Sequence, residues 1–174
     1  YAIHTQTSDR NYEFVDINVF DSEGLALSRE SERRLETLLA REDPRRTSAR
    51  EVGGIRYYPR AIDIYTEDCL LSIDTEATKA NRMKLVVDCS YGFGGSILPS
   101  MFVQMGVEVM SLNAIEQETK MPKSSEQFAQ SLDELALIVK TIDADMGIVI
   151  DPQGTRMWVT ADGGRVLTDM ELAY

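Results

Sequence analysis

Histidine and cysteine are scarce in this sequence, and long apolar runs are absent. The 174 residues include a single histidine, His4, which excludes a zinc site built from several histidines. The two cysteines, Cys69 and Cys89, form no CxxC pair, so we expect reduced, partly buried thiols and a cytoplasmic location. No apolar run approaches the roughly 18 residues needed to span a membrane, and no signal-peptide pattern is present. We therefore expect no membrane partner.

Basic residues are also few relative to acidic ones. The chain has 18 Lys and Arg against 29 Asp and Glu, which gives a formal net charge of -11. A surface of this sign disfavours nucleic acid and anionic membranes as partners. Any phosphate site would have to be built locally from arginines, lysines and backbone amides. With 43% hydrophobic residues, the chain can still bury a substantial core.

The first third of the chain predicts one strand, one helix and a linker. Ser28 can cap a charged helix that runs to about Glu42, and Asp43-Pro44 ends it. The basic and polar run 45–50 is interpreted as a solvated linker, with anion binding as the alternative, and we place a domain boundary within residues 44–58. The strand pattern consists of Tyr12, Phe14, Ile17, Val19 and Phe20, before a turn at 21–24.

After Pro59, which suits the first turn of a helix, short apolar strands alternate with helices. The strand runs are 85–87, 107–112 and 146–150. Ser124 with Gln127 fits a capping box for the helix before the last of these strands. Glycines in 161–164 then indicate a hairpin between two further strands. The fold class is α/β: a three-layer α/β/α domain with a mostly parallel sheet and an antiparallel edge strand, preceded by a partial α/β domain.

A glycine-rich turn, YGFGGS at 91–96, follows the first of these strands and leads into a helix. Its spacing is not the G-x-G-x-x-G of dinucleotide-binding proteins, and Asn113 stands where an acidic residue would close the second strand. The start of a helix can still bind a phosphate. The alternative, which we favour, is a tight turn for helix packing.

The loop DPQGTR at 151–156 follows the apolar strand run 146–150. Open α/β sheets bind their ligands at the carboxyl ends of strands. Asp151, Gln153 and Thr155 occupy alternate positions and could face one side as ligands of a metal ion. One carboxylate, one amide and one hydroxyl are a weak set for Mg²⁺, which prefers several charged oxygen ligands. Asp151 could equally cap the turn.

Several segments resemble the α-D-phosphohexomutases, the superfamily of phosphomannomutases and phosphoglucomutases. The similarity to their domain II lies in residues 84–94, 106–109, 147–152 with Arg156, and 162–167. Residues 16–25 resemble the strand and turn after the catalytic serine of domain I. The resemblance implies that residues 1–55 are the C-terminal part of domain I and that 56–174 form the α/β/α domain II.

Active members of the superfamily move phosphate between C1 and C6 of a hexose through a phosphoserine, with Mg²⁺ bound by three aspartates before an arginine. The resemblance places Asp151 at the first aspartate and Arg156 at the arginine, which would bind substrate. Gln153 and Thr155 replace the other two aspartates. Ser8 falls at the phosphoserine, but the family's Thr-Ala-Ser-His-Asn-Pro has become QTSDRN at 6–11. Loss of two carboxylates predicts weakened Mg²⁺ binding, and phosphoryl transfer depends on the metal.

We therefore interpret the chain as a phosphohexomutase-like module that is impaired in catalysis and inactive alone. It begins at Tyr1 without a methionine and stops within a helix-like segment, which suggests a piece of a longer protein. The resemblance implies as partners the remaining domains of a parent such as a sugar nucleotidyltransferase like mannose-1-phosphate guanylyltransferase, a sugar phosphate, or a second copy in a homo-oligomer. The alternative is a fragment of an active, Mg²⁺-dependent phosphomannomutase or phosphoglucomutase. A nucleotide-binding Rossmann domain is the weakest reading.

Overall fold

The computed structural model describes residues 1–8, 14–41, 47–121 and 124–172. The chain divides into two compact units, Tyr1–Tyr58 and Pro59–Tyr174. Several predictions lie outside the described residues: the contribution of Tyr12 to a strand, the helix end at Glu42 with its Asp43-Pro44 stop, and the basic pair Arg45-Arg46. No helix in the described ranges is long and apolar enough to cross a membrane.

The described residues of the first unit form an antiparallel strand pair and one helix. Strand β1, Ala2–Thr7, pairs with β2, Val15–Phe20, in a register that matches Ala2 with Phe20. The sequence predicted β2 alone, because β1 has only two apolar residues among its six. The predicted turn at 21–24 is confirmed, since the Asp21 carboxylate accepts the Leu25 N–H at 3.0 Å. Ser28 caps α1, Arg29–Ala40, as predicted.

The strands described in the second unit are β3 Lys84–Asp88, β4 Glu108–Leu112, β5 Met146–Ile150 and β6 Met157–Ala161. They form a four-stranded sheet in the order β4-β3-β5-β6. The central strand β3 pairs in parallel with β4 and with β5, whereas β6 pairs antiparallel with β5 at the edge. The predicted α/β fold, with its mostly parallel sheet and antiparallel edge strand, is therefore confirmed.

Helices cover this sheet on both faces. The helices described in this unit are α2 Ala61–Leu71, α3 Thr75–Asn81, α4 Leu98–Gln104, α5 Ser125–Ile142 and α6 Asp169–Leu172. Successive side chains of β3 point to opposite faces, so Leu85 and Val87 pack in one core with Met101 and Phe102 of α4, while Val86 packs in a second core with Leu135 of α5. The middle layer of the sandwich is therefore buried on both sides, as its apolar strands require.

The structure confirms the predicted cap of α5 but only part of the predicted hairpin after β6. Ser124 caps α5 by accepting the Gln127 N–H at 3.3 Å, as predicted. The hairpin at 161–164 forms only in reduced form: its second arm is a single bridge between Thr160 and Val166. Residues 162–164 form a 3₁₀ turn in which Gly163 has a φ of 71°, so the chain leaves the sheet after one pairing.

Candidate functional site

The loops that follow β3, β4 and β5 meet at the carboxyl edge of the sheet, and two glycines allow this contact. A Cβ added to Gly92 would lie 2.3 Å from the Cα of Pro152, and one added to Gly95 would lie 1.9 Å from the carbonyl oxygen of Ala114. Neither contact leaves room for a side chain. The glycine-rich turn therefore lies between the loops that follow its two neighbouring strands.

The backbone of this turn is also committed to protein partners. The Phe93 N–H donates to the Pro152 carbonyl at 3.4 Å, and the Gly92 N–H donates to the Cys89 carbonyl at 2.8 Å. The Gly95 N–H donates to Gly92 at 3.3 Å. These three amides do not point at open space, as phosphate-binding amides do. The geometry favours the packing interpretation of the motif over nucleotide binding.

Asp151 closes its own loop. Its carboxylate is buried, with 4% of the residue exposed, and it accepts three hydrogen bonds from the next turn. Oδ1 accepts the N–H of Thr155 at 2.7 Å and that of Arg156 at 3.0 Å, and Oδ2 accepts the Thr155 hydroxyl at 2.8 Å. The Asp151 N–H donates to the Arg156 carbonyl at 3.1 Å. Asp151 thus acts as the capping residue that its place before Pro152 allows.

Gln153 and Thr155 occupy different surroundings. Thr155 contacts Asp151 directly. Gln153 lines a cavity of about 350 Å³ together with Tyr65 of α2 and Phe93. Asp151 and Thr155 are not among the residues that line this cavity. The structure therefore brings together two of the three residues at alternate positions, while the third faces a mainly apolar space. Arg156 is exposed.

This donor set does not fit Mg²⁺ as it stands. A hard cation takes six oxygen ligands with a substantial share of negative charge, and the loop has one carboxylate whose two oxygens already accept hydrogen bonds. In the described part of the chain, no three His, Cys, Asp or Glu residues are grouped as a metal site would need. A cation would have to compete with the Thr155 and Arg156 donors for Asp151.

Ser8 lies in the first unit, just after β1. It is buried, and its N–H donates to the Phe14 carbonyl at 2.9 Å, which closes the strand pair. Its neighbours Asp9, Arg10 and Asn11, which depart from the phosphoserine motif, lie outside the described residues. As a nucleophile, Ser8 remains a prediction.

A polar cluster at the ends of β3 and β4 was not predicted. Asp88 accepts the Ser90 N–H at 2.8 Å, and both of its oxygens accept from the Asn113 side-chain amide at 3.0 and 3.1 Å. Burial raises the pKa of Asp88 above its usual range, although the Ser90 and Asn113 bonds oppose this. Burial likewise raises the pKa of the neighbouring Cys89 thiol to about 11. The available signal was a polar residue at the end of each of two adjacent parallel strands.

The comparisons with known proteins agree with this geometry. Residues 63–164 match the family model described as phosphoglucomutase/phosphomannomutase, alpha/beta/alpha domain II. A probable phosphoglucosamine mutase of Methanocella arvoryzae is 31% identical over 160 residues, which cover 92% of this chain and 35% of that protein. A phosphoglucomutase/phosphomannomutase of Thermococcus kodakarensis is 30% identical over 155 residues, which cover 89% of this chain and 34% of that protein.

Solved structures support the same fold. A phosphoglucomutase/phosphomannomutase family protein of Burkholderia thailandensis superposes with a TM-score of 0.66 at 20% identity, covering 94% of this chain and 34% of that one. The chain thus spans about a third of the length of the relatives it matches. The family match covers more than half of the 174 residues and runs from α2 to the 3₁₀ turn after β6. The chain belongs to the phosphoglucomutase/phosphomannomutase family, with its α/β/α domain II in residues 63–164.

Proposed function

We propose that this chain is a phosphohexomutase-like module of sugar-phosphate metabolism whose metal loop no longer supports catalysis. The observation that carries the proposal is the hydrogen bonding of Asp151: both of its carboxylate oxygens already accept hydrogen bonds, from Thr155 and Arg156. With Gln153 and Thr155 in place of carboxylates, the loop is held together by its own donors and offers a cation little negative charge.

The module would work within a larger protein. The relatives that it matches are about three times as long, so we propose that the remaining domains of the parent are its partners and that residues 1–55 are the end of domain I. A parent of the sugar nucleotidyltransferase class, similar to mannose-1-phosphate guanylyltransferase, would use the module for structure, oligomerisation or regulation. The free thiols of Cys69 and Cys89 suit a cytoplasmic location.

An active mutase is the second candidate. The two proteins described above bear the names of mutases, and Arg156 lies on the exposed side of the loop, where it could contact a sugar phosphate. In this alternative Ser8 carries the phosphate. The loop binds Mg²⁺ after the Asp151 carboxylate releases the hydrogen bonds that it accepts from Thr155 and Arg156. The substrate would then be a hexose or hexosamine phosphate.

Mutase activity of the full-length parent and metal binding by this chain distinguish the candidates. We expect the parent to show no Mg²⁺-dependent conversion of mannose 1-phosphate to mannose 6-phosphate. We also expect Mg²⁺ to leave the melting temperature of this chain unchanged. Mg²⁺-dependent turnover that disappears in Ser8→Ala would establish the mutase and overturn the proposal.

Restoring the carboxylates gives a positive test of the same idea. In the double variant Gln153→Asp with Thr155→Asp, the loop would carry three carboxylates, and we expect Mg²⁺ to raise its melting temperature. A charge-matched control carries Ser72→Asp and Asn81→Asp, two exposed positions in the described structure, and should not respond. If the unaltered loop binds Mg²⁺ as well as the double variant does, the loop is not degenerate.

A further inference from the structure

A second polar cavity, distinct from the Asp151 loop, opens at the ends of β3 and β4. Its volume is about 230 Å³, and its walls come from the loops after these strands and from one side of α5. Ser90, Tyr91 and Asn113 form the strand side, and Gln130, Ser131 and Glu134 are among the residues on the helix side. None of residues 151–156 lines it.

Ser90 gives this cavity an unsatisfied hydroxyl. The residue is 2% exposed, and among the described residues its Oγ has no hydrogen-bond partner. Buried hydroxyls are nearly always paired in folded proteins, and an exception calls for an explanation such as a ligand or a water. Since Ser90 lines the cavity, a bound polar molecule would supply the missing partner.

The backbone that presents Ser90 is held in an uncommon conformation. Ser90 has a φ of 49° and Tyr91 a φ of 57°, both in the left-handed region, and Asn113 on the opposite loop has the same geometry with a φ of 49°. Such positions cost free energy in residues other than glycine and concentrate at functional sites. The hydrogen bonds from Ser90 and Asn113 to Asp88 maintain the two loops in this arrangement.

The cavity wall carries charged side chains of both signs. Glu134 lies on its wall and acts electrostatically on buried Asp88, so its carboxylate disfavours an anion. A cation would meet Lys120, whose ammonium lies 5.4 Å from the centre of the Tyr91 ring. The remaining groups are hydroxyls and amides, which both donate and accept hydrogen bonds. This mixture suits a neutral ligand with several hydroxyl groups.

We propose that this cavity binds a small neutral polyol, with Ser90 Oγ, Ser131 and Gln130 among its partners. The Ser131 hydroxyl donates to the Gln127 carbonyl at 3.1 Å and keeps its lone pairs as acceptors. The Gln130 amide donates to Glu134 at 3.1 Å, which fixes the orientation of both side chains at the rim. The site is independent of the metal loop and of the mutase reaction proposed for the family site.

Calorimetric titration of the protein with myo-inositol, a cyclic polyol that fits the volume, tests the proposal. We expect saturable binding that Ser90→Gly weakens about tenfold, the loss of one hydrogen bond at the upper end of its usual range. Glycine suits the left-handed φ of this position, so the variant should fold. Ser131→Ala is a second variant that leaves the backbone of the strand loops untouched and should also weaken binding.

Two matched controls separate binding from folding. Thr160→Val removes the other buried hydroxyl that has no partner among the described residues, and Asp143→Gly relieves another left-handed residue, with a φ of 53°. Neither position lines the cavity, so both variants should bind the polyol normally.

The proposal is overturned if the titration with myo-inositol shows no saturation, or if Ser90→Gly leaves the binding unchanged. Titrations with inorganic phosphate, Mg²⁺ and glycine should show no binding at this site. Binding of any of these that Ser90→Gly abolishes would assign the cavity to an ion or a zwitterion instead.

Discussion

Two aspartates at the carboxyl edge of the sheet have the same burial but different partners. Asp88 ends β3 and Asp151 follows β5, and each is 4% exposed. Asp151 accepts its three hydrogen bonds from residues four and five positions ahead in its own loop. Asp88 accepts one bond from Ser90 and two from Asn113, which follows the neighbouring strand β4.

The difference shows how the same residue type can either close a loop or join two of them. Because Asp151 is satisfied locally, the geometry of its loop does not depend on a bound cation. Because Asp88 is satisfied across strands, it holds the loops after β3 and β4 at a fixed separation, with a polar cavity beside them. The edge of one sheet thus carries a self-contained loop and an open, preorganised pocket.

The largest effect should come from a side chain added at Gly92, which would separate the loops that follow β3 and β5. In Gly92→Ala the new Cβ would lie 2.3 Å from the Pro152 Cα, and because the obstacle is backbone, one of the loops must move. We expect a loss of about 3 kcal/mol in the free energy of unfolding, at the upper end of overpacking effects, measured by urea denaturation.

Gly154→Ala is the control for this variant. Gly154 has a φ of 72° and nothing within 4 Å of an added Cβ, so only backbone strain opposes the alanine, at a cost of about 1 kcal/mol. Equal losses in the two variants would show that the contact between Gly92 and Pro152 does not restrain the loops.

The next effect comes from removing the Asp151 carboxylate. Asp151→Ala leaves the N–H groups of Thr155 and Arg156 without their acceptor, and we expect a loss of about 2 kcal/mol in urea denaturation, as for hydrogen bonds to a charged group. Asp151→Asn keeps an acceptor for both N–H groups and can donate to the Thr155 hydroxyl, so it should restore most of the stability. Thr155→Ala removes one bond and should cost about 1 kcal/mol. An asparagine variant as unstable as the alanine variant would mean that the charge itself is required.

Most of the regular secondary structure could be predicted because its sequence signals are local. Residues 85–87 are uniformly apolar and form β3, and the Ser124 cap marks the start of α5. Helix α3, with the sequence TEATKAN, has no apolar stripe and none of its described residues is buried, so periodicity could not reveal it. Strand β1 escaped for a related reason: its Ile3 is 70% exposed and belongs to no alternating apolar pattern.

The site was less predictable because it depends on the path of each loop. Alternation places Asp151, Gln153 and Thr155 on one side only if the backbone is extended. Instead, Gly154 has a left-handed φ of 72°, and the turn brings Thr155 back to Asp151 while Gln153 faces the cavity beside Tyr65. The pairing of Asp88 with Asn113, 25 residues apart, arises from the parallel register of β3 and β4.

The smallest effect concerns the charge around Asp88. Burial raises the pKa of Asp88 above its ordinary value of 3.8, and the charge of Glu134 adds to this rise. Between 3.8 and the raised pKa, the folded chain therefore keeps a proton that the unfolded chain has lost. The stability due to this group is complete below that window and is lost as the pH rises through the folded pKa.

Glu134→Gln should lower the pKa of Asp88 and narrow this window, because the neutral side chain no longer opposes ionisation. The glutamine can still accept the hydrogen bond from Gln130, so the geometry of the rim should be unchanged. Titration of the Asp88 carboxyl carbon by NMR in the labelled protein measures the shift. Asp133→Asn, an equal change of charge at the adjacent exposed position, should leave the pKa of Asp88 closer to that of the unaltered protein. If both variants lower the pKa of Asp88 equally, the shift comes from the overall charge of the protein. Glu134 would then have no specific electrostatic effect on Asp88.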